Sequence, residues 1–161
     1  MAESQGYLEP VKKTFIPVTS KEQWTAIEKV LTGMFASLNF RVLGRVIGVQ
    51  RRIAKEGRHD LFIFIDGKID PKMLLADKTT GEYDPMVQLV WRKSVVLAVS
   101  KQKQARLINE WKRKKLRKDV IADMRRIWGF DKSFVMYYPS FGTAKSLVQT
   151  FRKIDGIEVE W

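Results

Sequence analysis

The chain has 161 residues, of which 30 are Lys or Arg and 18 are Asp or Glu, so its formal net charge is +12. This length corresponds to one domain that buries about two thirds of its unfolded surface. The absence of Cys excludes disulfides, thiolate zinc sites and cysteine nucleophiles, and a single histidine, His59, leaves little scope for other metal sites or catalytic triads. No apolar stretch approaches the roughly 20 residues of a membrane helix. With no signal-like N-terminus, the sequence predicts a cytoplasmic protein that needs no cofactor or metal and enters no membrane.

The N-terminal residues predict a lead-in, a strand and a helix. Residues 1–13 show no period and are expected to be flexible, whereas residues 14–18 fit a short edge strand. Thr19 precedes Glu22 and Ser20 precedes Gln23, either pair at the spacing of a capping box, so a helix is expected over 21–38. Its apolar residues recur at helical intervals and form one core-facing stripe: Trp24, Ile27, Val30, Leu31, Met34, Phe35 and Leu38.

The middle of the chain predicts strands separated by turns. A period near two over 40–54 indicates a strand, and Gly57 marks a hairpin connection to a second strand over 60–65. Asp66-Gly67 is typical of a hairpin turn, because both residue types tolerate positive φ. Residues 70–85 contain Pro, Gly and small polar residues, which indicates a long loop within the domain.

One long strand or two short strands, followed by a pair of helices, are expected next. Residues 87–91 and 94–99 are rich in β-branched residues, and Ser100 is placed to cap a helix. On one straight helix the apolar residues would change sides near 115–119, so two helices with a break there fit the pattern better. Asp119 is the expected N-cap of the second helix.

The first of these helices is strongly basic. Nine of the 30 cations fall between residues 101 and 118 against one acid, Glu110: Lys101, Lys103, Arg106, Lys112, Arg113, Lys114, Lys115, Arg117 and Lys118. Such a density attracts a polyanion, and each neutralised phosphate releases a counterion. The alternative is a solvated helix face without a partner. Leu107 and Trp111 favour the first interpretation, since they tie the segment to a core.

The C-terminal residues predict a β-α-β unit. Residues 134–138 fit a strand, residues 143–154 a helix and residues 157–161 a second strand. This unit is either a parallel pair with a right-handed crossover or the split arrangement of a ferredoxin-like half. Many RNA-binding sheets have that architecture, and Phe134, Tyr137 and Tyr138 would then stack on bases. The alternative is that these three aromatic residues belong to the core.

A metal-dependent nuclease is an alternative to a binding protein. Asp66 and Lys68 fit half of a D-x-K motif, but the nearest earlier acid, Asp60, would lie about 20 Å away on a continuous strand. Glu28 is an alternative second acid, and Asp70 and Lys72 form a second D-x-K. Because the sequence around Asp66 is already explained as a turn, no catalytic residue is assigned.

Two segments resemble small uncharacterised tailed-bacteriophage proteins. One runs from Tyr138-Pro139-Ser140-Phe141-Gly142 through Leu147 and ends in the strand Gly156-Ile157-Glu158-Val159, and the other is Phe64-Ile65-Asp66-Gly67-Lys68. Together they cover about a quarter of the chain. The resemblance implies a viral accessory protein in a bacterial host cytoplasm, and it brings no catalytic residues.

The sequence therefore predicts one α+β domain over 14–161, with a mixed or antiparallel sheet and a basic helical segment. Its predicted function is that of a non-enzymatic accessory protein that binds nucleic acid, DNA and RNA fitting equally well. The alternative is an inhibitor or adaptor whose basic face binds an acidic protein surface, with Trp111, Trp128 or Trp161 as anchors. A nuclease is the third possibility.

Overall fold

The computed structural model describes residues 13–161, so the predicted lead-in lies outside the described residues except for Lys13. These residues form two compact units. The first comprises residues up to Trp91 together with Pro139–Trp161, and the second comprises Arg92–Tyr138. Helices and antiparallel sheets are both present, which confirms the α+β class. The single-domain assignment of 14–161 stays a prediction.

Eight strands and five helices make up the described chain. The strands are β1 (Phe15–Pro17), β2 (Ser37–Val42), β3 (Arg45–Lys55), β4 (Arg58–Ile65), β5 (Arg92–Leu97), β6 (Ser133–Tyr138), β7 (Ser140–Phe141) and β8 (Glu158–Glu160). The helices are α1 (Lys21–Thr32), α2 (Pro85–Val90), α3 (Lys101–Arg113), α4 (Lys118–Ile127) and α5 (Ala144–Phe151), with a 3₁₀ turn at Pro71–Leu74.

The first unit is built on a six-stranded antiparallel sheet in the order β1-β8-β2-β3-β4-β7. Alternate residues of its central strands are fully buried, among them Phe40, Ile47 and Ile63. Phe151 of α5 packs edge-on against Phe40 and Phe141 of this face, with ring centroids 5.1 and 6.4 Å apart. Helices α1 and α5 also contact each other, so the core lies between the sheet and these helices.

Both ends of the first unit are split β-α-β arrangements. Strands β1 and β2 are parallel with β8 between them, and β7 and β8 are parallel with β2, β3 and β4 between them. The C-terminal unit is therefore split and is not an adjacent parallel pair, but three strands separate its two strands instead of the single strand of a ferredoxin-like half. Its first strand is Ser140–Phe141, whereas residues 134–138 pair with β5 in a separate sheet.

Several N-terminal predictions are confirmed, with two corrections. Strand β1 lies at the sheet edge, and Ser20 and Gln23 form the capping box of α1. Helix α1, however, ends at Thr32 because Gly33 takes an extended conformation, which leaves Phe35 93% exposed. The strand predicted over 40–54 is two strands joined at Leu43-Gly44, both with positive φ. Leucine rarely adopts this conformation, so the turn had no sequence signal.

Between residues 66 and 91, the predicted turn and loop are confirmed and the predicted strand is wrong. Asp66 and Gly67 both have positive φ, and residues 70–85 form a loop apart from the short 3₁₀ turn. The strand predicted over 87–91 is helix α2. Asp84 accepts a hydrogen bond from the backbone N–H of Met86 and Pro85 occupies the first turn, so local capping outweighs the β-branched composition.

In the second unit the chain runs from β5 through α3 and α4 to β6, and β5 and β6 pair as an antiparallel ribbon. Its core contains Val99, Leu107, Trp111 and Phe130, with the last two rings stacked 5.6 Å apart. Across residues 13–161, none of the helices combines the length and the apolar character that crossing a membrane requires.

Candidate nucleic-acid interface

Most of the protein's net positive charge lies in the second unit. Residues 92–138 contain 14 Lys and Arg but only four Asp and Glu, which gives +10 of the total +12. The remaining residues are nearly neutral. A contact surface for a polyanion is therefore expected in this unit and not in the six-stranded sheet.

Helix α3 is held in one orientation about its axis. The side-chain oxygen of Ser100 accepts a hydrogen bond from the backbone N–H of Lys103 and so caps the helix, as predicted. Leu107 and Trp111 are buried, and the amide of Gln104 donates to the backbone carbonyls of Val99 and Phe130 at 2.9 and 3.2 Å. These contacts fix which side of α3 faces the solvent.

The predicted break between the two helices is confirmed and has a defined geometry. The N–H of Leu116 donates to the carbonyl of Trp111, and the N–H of Lys115 donates to that of Lys112, which is the pattern of a Schellman motif. Lys115 takes the left-handed position at φ 56°, where glycine is usual. The N-cap of α4 is Arg117 and not Asp119, which lies in the first turn.

Replacing Lys115 by Gly should stabilise the protein by about 0.5 to 1 kcal/mol, because glycine adopts the left-handed conformation without strain. Urea unfolding followed by circular dichroism measures the change. Lys115→Ala is the matched control: it removes the same charge, keeps the Cβ and should give no such gain. A glycine variant no more stable than the alanine variant would contradict a strained Lys115.

The nine predicted cations are all exposed, and they differ in their partners. Lys114 pairs with Glu110 at 3.3 Å, Arg117 pairs with Asp119 at 3.5 Å, and Lys103 lies 5.8 Å from the ring centre of Trp128. The rest form no ion pair with the described part of the chain: Lys101, Arg106, Lys112, Arg113, Lys115 and Lys118. Their charge is therefore not compensated locally.

The two helices of this unit differ in acidic content. Along α4, Asp123 pairs with Arg126 at 3.2 Å, and Asp119 adds a second negative charge. Along α3, Glu110 is the one acid, and Lys114 already neutralises it. The exposed side of α3 is thus the more positive surface.

The predicted tyrosines lie on β6, on opposite faces of the ribbon, and both are half-buried. Arg92 lies over the ring of Tyr138 at 4.9 Å, and the Tyr138 hydroxyl donates to the sulfur of Met136 at 3.6 Å. Neither tyrosine is part of the unit's buried cluster, and their stacking on bases stays a prediction.

Charge counting within 101–118 missed five cations that belong to the same unit: Arg92, Lys93, Arg125, Arg126 and Lys132. They lie on the ribbon, on α4 and in the turn after it, so a short sequence window does not group them.

Of the three tryptophans predicted as protein anchors, Trp111 is buried, so that prediction is wrong, whereas Trp128 and Trp161 are 45% and 46% exposed.

The D-x-K residues occupy structural positions. Asp66 accepts hydrogen bonds from Nε of Arg45 at 2.9 Å and from the N–H of Val46 at 3.2 Å, and Asp70 accepts one from the N–H of Lys72. Asp60 is buried and pairs with Arg58. Within residues 13–161 there is no group of three or more metal-ligating side chains.

The ion pair of Asp66 should appear in the pH dependence of stability. The hydrogen bond from Arg45 lowers the pKa of Asp66, so its stabilisation is present above the ordinary carboxyl pKa of about 4 and is lost as the pH falls. Asp66→Asn keeps a residue that tolerates positive φ. Chemical unfolding should show the wild type more stable than Asp66→Asn at neutral pH, with a difference that shrinks as the pH falls below the ordinary carboxyl pKa. A difference that persists in acid would contradict this role.

Comparison with models of protein families, with curated protein sequences and with solved structures finds no match for this chain.

Proposed function

We propose that this protein binds nucleic acid without catalysis, through the basic second unit. The observation that carries the proposal is the concentration of +10 of the +12 net charge in 47 residues, on a folded unit with its own apolar core. A polyphosphate backbone is the polymer whose charge density matches such a surface.

Unpaired cations distinguish this unit from an ordinary solvated surface. Surface charges that serve solubility are usually interspersed with opposite charges, as on α4. Arg106, Lys112 and Arg113 project from α3 with no ion pair to the described residues, and each could neutralise a phosphate and release a counterion.

A binding titration across salt tests the proposal. Fluorescence anisotropy with labelled duplex DNA, single-stranded DNA and duplex RNA should show binding to at least one polymer. The logarithm of its affinity should fall linearly with that of the salt concentration, with a slope of about 0.7 to 0.9 per phosphate contacted. Absence of binding to all three at about 50 mM salt would overturn the proposal.

Glu110→Gln should tighten binding, because it removes the acid of α3 and frees Lys114 from its pair. Asp123→Asn is the matched control: it gives the same charge change on α4. We expect roughly two- to fivefold tighter binding for Glu110→Gln and a smaller change for Asp123→Asn in the same anisotropy assay, since the effect of a charge decays within about 10 Å. Equal effects of the two substitutions on affinity would contradict a polymer bound closer to α3 than to α4.

A protein-binding adaptor is the second candidate, and one observation favours it. Ile127 and Trp128, adjacent at the end of α4, are 77% and 45% exposed. An exposed Trp beside cations is a common anchor at protein interfaces. This candidate predicts a stoichiometric protein complex that Trp128→Ala abolishes, together with weak polymer binding.

A further inference from the structure

We propose that α3 binds in the major groove of duplex DNA and contacts base edges through one line of side chains, Gln102, Arg106, Asn109 and Arg113. This inference depends on the proposed function and names its ligand. It starts from the spacing of these residues, which is four, three and four positions along the helix.

The four side chains share one narrow side of α3. At about 100° per residue they fall within roughly 60° of one another, diametrically opposite the side that carries Gln104, Leu107, Ile108 and Trp111. Since Leu107 and Trp111 are buried, the line faces the solvent, and all four of its residues are exposed. The hydrogen bonds of Gln104 prevent the helix from presenting another side.

The line combines the residue types that discriminate bases. Arg forms paired hydrogen bonds to O6 and N7 of guanine, and Asn and Gln form them to N6 and N7 of adenine. A solvated basic face would carry Lys and Glu at these positions equally well. Within residues 13–161 none of these four side chains has a hydrogen bond or ion pair of its own, so their donors and acceptors are available to a ligand.

The dimensions and the charges fit a major groove. A helix about 10 to 12 Å wide enters a groove about 12 Å wide, and the line spans about 16 Å, or roughly five base pairs. Lys103 and Lys114 flank the line on one side and Lys101 and Lys112 on the other, where phosphates of both strands would lie. Duplex RNA has a major groove too narrow for a helix, so DNA is the fitting polymer.

Selection from a pool of duplex DNA with a random core of about 20 base pairs tests the inference. The full-length protein should enrich a motif of four to six base pairs. Methylation of guanine N7, which lies in the major groove, should interfere with binding at that motif.

The decisive variant carries Gln102→Ala, Arg106→Lys, Asn109→Ala and Arg113→Lys together. It keeps the net charge, does not lower the helix propensity of α3 and removes paired hydrogen bonding to bases. We expect its affinity for a scrambled duplex and its salt dependence to stay within about twofold of wild type, while its preference for the selected motif falls at least about tenfold. Circular dichroism confirms that it is folded.

The outcomes separate the two proposals. Salt-dependent binding without an enriched motif, tighter binding to duplex RNA or to single strands, or an unchanged preference in the variant would each overturn the inference and leave nucleic-acid binding intact. Failure to bind any polymer would overturn both.

Discussion

Replacing Lys101, Lys112, Lys114 and Lys115 together by Gln should weaken binding to all polymer sequences alike and flatten its salt dependence. Phosphate contacts supply affinity that does not depend on sequence, and each contributes about 0.9 to the slope on duplex DNA, so four lost contacts remove about 3.6. Near 0.1 M salt this corresponds to a loss of about three and a half orders of magnitude. Anisotropy titrations at four or more salt concentrations give both quantities.

The matched control removes four exposed charges from the first unit. Lys21, Lys29, Lys55 and Lys145 are exposed and form no ion pair with the described residues. Their replacement by Gln lowers the net charge equally, so any effect of total charge appears in both variants. A control that weakens binding as much as the α3 variant would show that the site is not localised on the second unit.

Phe151→Ala should destabilise the first unit by about 3 to 5 kcal/mol. The ring is fully buried and contacts Phe40 and Phe141 edge-on, so its removal loses both burial and aromatic contacts and leaves a cavity between α5 and the sheet. Because domains of this size have about 5 to 15 kcal/mol in total, the variant should melt far below wild type or fail to accumulate. Calorimetry or urea unfolding measures the loss.

Lys145→Ala provides the comparison on the same helix. Lys145 is exposed, so its truncation should change stability by no more than about 0.5 kcal/mol. If Phe151→Ala were equally mild, the core proposed between α5 and the sheet would be wrong. Binding measured on whatever folded Phe151→Ala protein is obtained further tests whether the two units act independently.

Local chemistry was predictable from the sequence wherever neighbouring residues decide the conformation. The capping box of Ser20 and Gln23, the cap at Ser100 and the turn at Asp66-Gly67 are each set by hydrogen bonds or φ preferences within four residues, and each is confirmed. The break between α3 and α4 was also predictable, because two apolar stripes on opposite sides cannot belong to one packed helix.

Predictions failed where a distant contact outweighed a local pattern. Leu38 continued the helical stripe of α1 but belongs to β2, where it pairs with Val49 across the sheet. The C-terminal β-α-β unit takes Ser140–Phe141 as its first strand because β4 offers a pairing edge, while residues 134–138 pair with β5. Strand pairing joins residues far apart in sequence, so local propensity does not determine it.

For the candidate site, the sequence by itself determined the sign and the density of the charge between residues 101 and 118, since both follow from composition. Only the tertiary structure decided which side of α3 is exposed and which cations remain unpaired. The burial of Trp111 against Phe130 and the hydrogen bonds of Gln104 orient the helix, and they depend on residues up to 26 positions away. Gln102 and Asn109 carry no charge, so a count of cations does not include them. The orientation of α3 exposes them to solvent together with Arg106 and Arg113.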